Sequence, residues 1–235
     1  MYLTRFRINT ARVGARRLLS SPQVMHAAVM SSFAEPPAHT GDSPRVLWRV
    51  DHNSKAETAL YIVSPDRPDL THLVEQAGWP TTPEAGWHTY PYEPFLSRLA
   101  AGDVWGFRLS ANPVHSIRRK KGEPTKRTAH ITPQYQAEWL LGRQDVGGFH
   151  VLDKPEESGA TKSDTHELIV HARRGLSFGK TEQLSGRKNH VALTTVTFDG
   201  RLRVTDPVAL RRTLTSGLGK AKAYGCGLMT LAPVK

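Results

Sequence analysis

The sequence predicts an α+β protein of two tandem ferredoxin-like (RRM-like) domains with antiparallel sheets. Three observations carry this. The first half runs strand, helix, strand, strand, helix, strand. The second half repeats that order more loosely. A glycine-rich stretch over residues 216–231 then leads into a last short strand, in a chain of net charge +11. The domains are divided at 115/116, inside the connecting stretch 112–119, giving 1–115 and 116–235.

The elements follow in order. Tyr2, Thr4, Phe6 and Ile8 alternate with Leu3, Arg5 and Arg7, which is strand periodicity. No acidic residue precedes Glu35, a transit-peptide composition, but the alternation fits an integral first strand better. An Arg-rich segment over 11–19 precedes a helix predicted over 22–33, with Ser20 or Ser21 as cap and Pro22 in the first turn. Residues 35–44 read as a loop. Residues 46–50 and 59–63 make a hairpin, 69–77 a short helix, and the stretch up to Pro94 a loop. Residues 103–111 are expected as the fourth strand of the first sheet.

In the second half, a strand over 128–131 leads into a helix over 133–143. Residues 149–153, 166–173 and 191–198 read as strands. Asp199-Gly200 reads as a hairpin turn into a further strand over 201–205. Asp206 and Pro207 suit the N-cap and first turn of a helix reaching Thr215. Residues 228–231 form the closing strand.

Composition narrows function. Hydrophobic residues make up 38% of the chain, and no apolar run approaches the roughly 18 residues that span a bilayer, so no membrane partner is expected. The charge calls for a polyanion, with nucleic acid favoured over an acidic protein. The one cysteine, Cys226, excludes an internal disulfide and a multi-cysteine zinc site. It suits a reducing cytosol and, between two glycines, reads as a small filler.

The charge is clustered. Arg118, Arg119, Lys120, Lys121, Lys126 and Arg127 form the densest run, read as a phosphate-binding arm rather than a solvated linker. Arg173, Arg174, Lys180, Arg187 and Lys188 flank a Gly- and Ser-rich loop. Gly217, Gly219, Gly225 and Gly227 surround Lys220 and Lys222. That glycine stretch has neither the Walker spacing nor the dinucleotide fingerprint, so it reads as an RNA-contact and packing loop rather than a nucleotide pocket. No RNP-type aromatic motif stands out, and the five tryptophans read as core or hinge packing.

The catalytic inventory is thin. There is no His-x-His, no His-Glu-x-x-His and no paired-Asp motif, whereas a two-metal nuclease needs clustered acids. No metal and no cofactor are expected. RNA carries its own nucleophile, the 2′-hydroxyl. His26 lies at the border of an apolar helical stripe of Met25, Ala28, Val29 and Phe33, where an imidazole can be held by packing and still transfer protons near neutrality. Taken alone, such a histidine is more often a packing residue.

Gly217-Leu-Gly-Lys-Ala-x-x-Tyr-Gly-x-Gly-Leu228, the opening Tyr2-Leu-Thr-Arg-Phe-Arg-Ile8, and Ser21-Pro-x-x-Met-His26 together resemble the CasE family. That family is the CRISPR-repeat endoribonuclease subunit of type I-E Cascade. The resemblance runs from the first strand to the last. It implies a metal-independent, cytoplasmic endoribonuclease whose partners are the CRISPR repeat RNA stem-loop and the other Cascade subunits. It implies that His26 is general base or acid for attack of the 2′-hydroxyl, leaving a 2′,3′-cyclic phosphate or 3′-phosphate and a 5′-hydroxyl. A family tyrosine often lies three residues before the histidine; Gln23 stands there instead and cannot titrate as a phenol. Arg173 and Arg174 are chosen as phosphorane-stabilising groups, because bidentate guanidinium suits a dianionic phosphorus. Arg118, Arg119, Lys120, Lys121, Lys126, Arg127, Lys180, Gly217, Gly219, Lys220 and Lys222 are chosen as RNA contacts. The alternative is a non-catalytic structured-RNA-binding protein of the same fold.

Overall fold

The computed structural model describes residues 1–35, 41, 43–53, 57–79, 86–117, 125–155, 165–181 and 188–234. The first half contains β1 (Tyr2–Ile8), α1 (Val13–Ser20), α2 (Pro22–Met30), β2 (Leu47–His52), β3 (Thr58–Ser64), α3 (Thr71–Ala77) and β4 (Trp87–Pro91). Its strands lie in the order β2-β3-β1-β4, all antiparallel, which is the ferredoxin-like arrangement. A short α4 (Glu93–Arg98) leads on.

The second half contains β5 (Val104–Ala111), β6 (Val114–Ile117), β7 (Lys126–Ala129), α5 (Pro133–Leu141), α6 (Gln144–Gly147), β8 (Phe149–Val151), β9 (Leu168–Thr181), β10 (Lys188–Val204), α7 (Pro207–Ser216) and β11 (Met229–Pro233). The order β11-β5-β10-β8 repeats the first arrangement, with β5 as its first strand. Two hairpins elaborate it. Among the described residues β6 pairs only with β7, and β9 pairs with β10.

This revises the sequence reading at four places. Residues 104–111 are not the fourth strand of the first sheet: β5 pairs with β10 and β11, so a division at 115/116 would cut it from its own ladders. The first sheet takes β4 instead, from a stretch read as loop. Asp199 and Gly200 make no turn; both lie inside β10, paired with Arg108 and Phe107 of β5. The glycine serves close approach, since a Cβ there would overlap the Glu167 carbonyl and the Phe107 ring. Finally, the Arg-rich segment is a helix of its own. α1 buries only Ala15 and Leu18, too narrow a stripe to stand out among its arginines. Arg12 ties it down by donating to the carbonyls of Val74, Glu75 and Gly78 at the end of α3.

Two cores result. Phe6, Ile8, Met25, Val29, Leu60, Ile62 and Leu73 pack between the first sheet and α1–α3. The second core joins Leu109, Val196, Phe198, Leu210 and Leu214 to Leu47 and Val63 from the other face of the first sheet. The first sheet is therefore apolar on both faces, and the halves share a core. The Asp206 carboxylate caps α7 as its sequence suggests, accepting from the amides of Val208 and Ala209.

Candidate functional site

His26 sits on α2. Ser21 adopts extended backbone (φ −143°), which breaks α1 from α2, and Pro22 restarts the helix. Met25 and Val29 are buried in the first core. One position on from Met25, about 100° around the helix, His26 is half-buried, with Nδ1 shielded from solvent. Gln23, one turn earlier, is also half-buried, and its Oε1 finds no hydrogen-bond partner among the described residues. α2 packs against the 3₁₀ turn Lys222–Tyr224, so the histidine helix leans directly on the glycine loop.

The loop is shaped by what lies under it. Gly219 has φ +84°, and a Cβ there would come to 2.9 Å from the Trp139 ring. Gly225 has φ +78°, and its Cβ would meet the Trp48 ring at 2.7 Å. Both positions thus require glycine twice over, for left-handed backbone and for clearance. Gly217 ends α7 against Leu47. Trp48 and Trp139 are buried as expected, whereas Trp79 is 41% exposed. Cys226 is buried, and burial pushes its thiol up to about 12, which leaves it an inert filler.

Two concavities flank the loop. One, of about 890 Å³, lies between the β6–β7 hairpin, the β9–β10 hairpin and the loop; Lys126, Arg127 and Lys220 line it. Arg118, Arg119, Lys120 and Lys121 lie outside the described residues, as does the Lys180 side chain. Gly217 and Gly219 are not in the lining of this groove.

The other is a cleft of about 240 Å³ between β2, the second sheet and the start of α2. Pro22 and Met25 form one wall, and Arg174, His171, Arg108 and Thr197 another. In a regular strand, residues three apart point to opposite faces. A bulge brings His171 and Arg174 together: Arg174 pairs with Thr195 and His171 with Thr197, so one extra residue sits on β9. Ala172 adopts φ +51° there, left-handed backbone that is uncommon for alanine. Arg173 is exposed and lines neither concavity.

Charges in the cleft are mostly matched. Arg108 holds Asp199 through two hydrogen bonds, at 2.7 and 2.6 Å, and His171 Nε2 lies 3.0 Å from Asp199 Oδ2. Burial is the largest single influence on Asp199 and pushes it up, but the hydrogen bonds and charges of Arg108 and His171 together outweigh it and keep the carboxyl below the usual range. Arg49 is only 2% exposed yet fully used. It grips Asp51 at 2.7 and 2.9 Å, donates to the Arg108 and Leu228 carbonyls, and donates to Thr230 Oγ1. It thereby ties the first sheet to the second. Arg174 has no carboxylate at ion-pair distance among the described residues. His52, at the rim, is shifted down from the ordinary histidine range by burial first and Arg174 second, with Asp51 opposing.

Thus α2 and the Lys126–Arg127 hairpin each border the glycine loop, and Arg174 lines the cleft that Pro22 and Met25 wall; His26 itself lines neither concavity. The Arg49–Asp51 pair, the Arg108–Asp199–His171 group and His52 were not singled out by the sequence. Their signal lies in strand register across 150 residues, which no local motif records.

The chain matches the model of a family described as CRISPR associated protein over residues 1–233. It is 30% identical over 236 residues to the CRISPR-associated endoribonuclease Cse3 of Thermus thermophilus, covering 99% of this chain and 100% of that protein. It is 38% identical over 141 residues to the CRISPR system Cascade subunit CasE of Escherichia coli, covering 58% and 62% respectively. The fold matches Thermus thermophilus Cse3 bound to an RNA representing a pre-cleavage complex, with TM-score 0.72, 27% identity, and 99% and 98% of the two chains covered.

Proposed function

We infer function from the premise that the chain belongs to the CRISPR-associated protein family. It is an endoribonuclease that acts in CRISPR RNA processing, and its substrate is the repeat stem-loop. The single observation that carries the finer reading is the packing of the His26 helix onto the glycine loop, whose Lys220 lines the basic groove. A stem held by its phosphates on Lys126, Arg127 and Lys220 brings its flanking strand to α2.

There the 2′-oxygen attacks the adjacent phosphorus and the P–O5′ bond breaks. One proton leaves the 2′-hydroxyl and one is delivered to the departing 5′-oxygen. His26 handles one of these transfers as general base or acid. Gln23 is able to hydrogen-bond the substrate but not to titrate. The phosphorane falls to Arg174 rather than Arg173, because Arg174 faces the cleft that α2 borders. No metal enters the scheme; among the described residues no three His, Cys, Asp or Glu side chains gather as a ligand set. The product stays bound, and the protein works in the cytoplasm as a Cascade subunit. No helix among the described residues is long and apolar enough to cross a membrane.

Gln23 favours one second reading, a structured-RNA binder that does not cut. Single-turnover cleavage of repeat RNA in excess EDTA, with mapped product ends, separates the two. His26→Ala is expected to lower the cleavage rate by about 10²–10⁴-fold while RNA affinity holds. A rate within a few-fold of wild type would remove His26 from the chemistry. Absence of cleavage by wild type, with tight binding, would establish the second reading.

A further inference from the structure

His52 and His171 face one cleft from different strands, and the reaction ascribed to His26 uses neither. The cleft carries excess positive charge before either histidine protonates. Three arginines (Arg49, Arg108, Arg174) and one aspartate (Asp51) line it; Asp51 is held by Arg49, and Asp199, outside the lining, is held by Arg108 and His171. Arg174, assigned above to the phosphorane, has no carboxylate partner among the described residues and can serve a neighbouring phosphate as well. Its place beside His171 depends on the β9 bulge and on the left-handed Ala172, and strained backbone of this kind persists where the surroundings over-determine it, often beside sites. At about 240 Å³ the cleft admits a sugar–phosphate unit but not a duplex.

We propose that this cleft is a phosphate-binding subsite for the unpaired RNA strand beside the scissile bond, with His52 and His171 as its ligands next to Arg174. The proposal rests on the RNA-processing reading. Burial first and Arg174 second shift His52 down from the ordinary histidine range, with Asp51 opposing, and so disfavour its charged form. A phosphate supplies the missing negative charge and favours the imidazolium. Affinity for RNA then rises as pH falls through the histidine range. The other groups around the histidines do not reverse this sign. Asp51 is held by Arg49, and Asp199 is shared between Arg108 and His171, whose Nε2 lies 3.0 Å from Asp199 Oδ2; a negative neighbour there has the same sign of effect as the phosphate. Thr58 Oγ1 lies 3.2 Å from His52 Nδ1, and Glu57 behind it pairs with Arg5 and Arg7. Tyr224 adds a phenol at the far wall.

The test uses full-length protein and repeat RNA made non-cleavable by a 2′-deoxy substitution at the cut. Wild type is expected to bind about fivefold tighter at pH 6 than at pH 8. His52→Gln and His171→Gln should each remove part of that difference, the double variant most of it, and each should lower the log–log salt slope by about 0.7. In parallel, inorganic phosphate is titrated against the imidazole NMR signals of the protein without RNA. The His52 and His171 signals should move toward the imidazolium position, and Arg174→Ala should weaken the movement. Unchanged pH dependence in both variants overturns the proposal, even if phosphate shifts the signals, because the cleft is then an anion site without a role in RNA binding. Silent histidine signals also overturn it. If wild type binds no repeat RNA at all, the processing reading falls first and this subsite with it.

Discussion

Removing the Arg49 side chain tests how the two halves are held together. Arg49→Ala strips the bidentate partner from Asp51, which is 7% exposed, and removes the donor that reaches the Arg108 and Leu228 carbonyls. Breaking a buried pair by deleting one partner costs about 3–5 kcal/mol, chiefly because the surviving charge is left buried. Arg108 Nη1, 3.7 Å from Asp51 Oδ2, recovers part of that, which points to the lower end of the range. The assay is urea unfolding. With a slope of about 1–3 kcal/mol/M, a loss of about 3 kcal/mol moves the midpoint down by one molar or more. Two further variants separate charge from packing. Asp51→Asn keeps the shape but weakens the grip, and Arg49→Met with Asp51→Leu removes both charges at once. The double variant is expected to be more stable than Arg49→Ala, since an apolar pair of similar volume often replaces a buried ion pair at little cost. If Arg49→Ala lost under 1 kcal/mol, the clamp would be a bystander and the shared core would hold the halves unaided.

Other expectations follow from the same geometry. Gly225→Ala combines a left-handed alanine, about 1–2 kcal/mol, with overlap on the buried Trp48, about 1–3 kcal/mol; a stability loss near 3 kcal/mol in urea unfolding is expected, and a loss below 0.5 would show that the loop re-forms freely. Replacing Lys220 and Lys222 together by alanine should weaken RNA binding alike across stem sequences and reduce the salt slope by under about one unit for each phosphate no longer neutralised; unchanged affinity and slope would make the loop purely structural. His52 and His130 are both shifted down from the ordinary histidine value, with burial the largest cause in each. The folded state therefore binds fewer protons than the unfolded state at these positions. Their contribution is intact above about pH 6.5 and declines as pH falls through that value toward the lower folded ones. Unfolding midpoints at pH 7.5 and 5.5 should differ less for His52→Gln/His130→Gln than for wild type, and an equal difference would refute the assignment.

Much of this was legible because it is local. β1 announces itself by alternation, α7 by Asp206-Pro207, and the β2–β3 hairpin by two apolar runs. The glycines of the loop were legible as positions that resist a Cβ, though not what they press against, since Trp48 and Trp139 are brought there by tertiary packing. What failed was partnership. Residues 104–111 look like any strand, and only the ladder to β10 and β11 assigns them to the second sheet. Gly200 looks like a turn because its reason for being glycine, the crossing of Glu167 and Phe107, is distant in sequence. His171 and Arg174 look like opposite faces of a strand until the bulge is known.

The loop explains why those distant pieces meet. Gly225 is pressed on Trp48 of the first half, and Gly219 on Trp139 of the second. Between them the turn Lys222–Tyr224 supports α2, Lys220 enters the groove, and Tyr224 lines both the groove and the cleft. A backbone fixed at two points to two halves transmits any shift between them to the histidine helix. Arg49→Ala and Gly225→Ala should therefore slow cleavage at saturating RNA more than they weaken binding, because the groove residues Lys126 and Arg127 lie on a separate hairpin. A misplacement of about 1 Å at a catalytic group is enough to cost about 10²-fold. Single-turnover rates and dissociation constants, measured well below each variant's unfolding midpoint, decide it. Equal losses in both would mean that the loop positions the RNA and leaves His26 where it was.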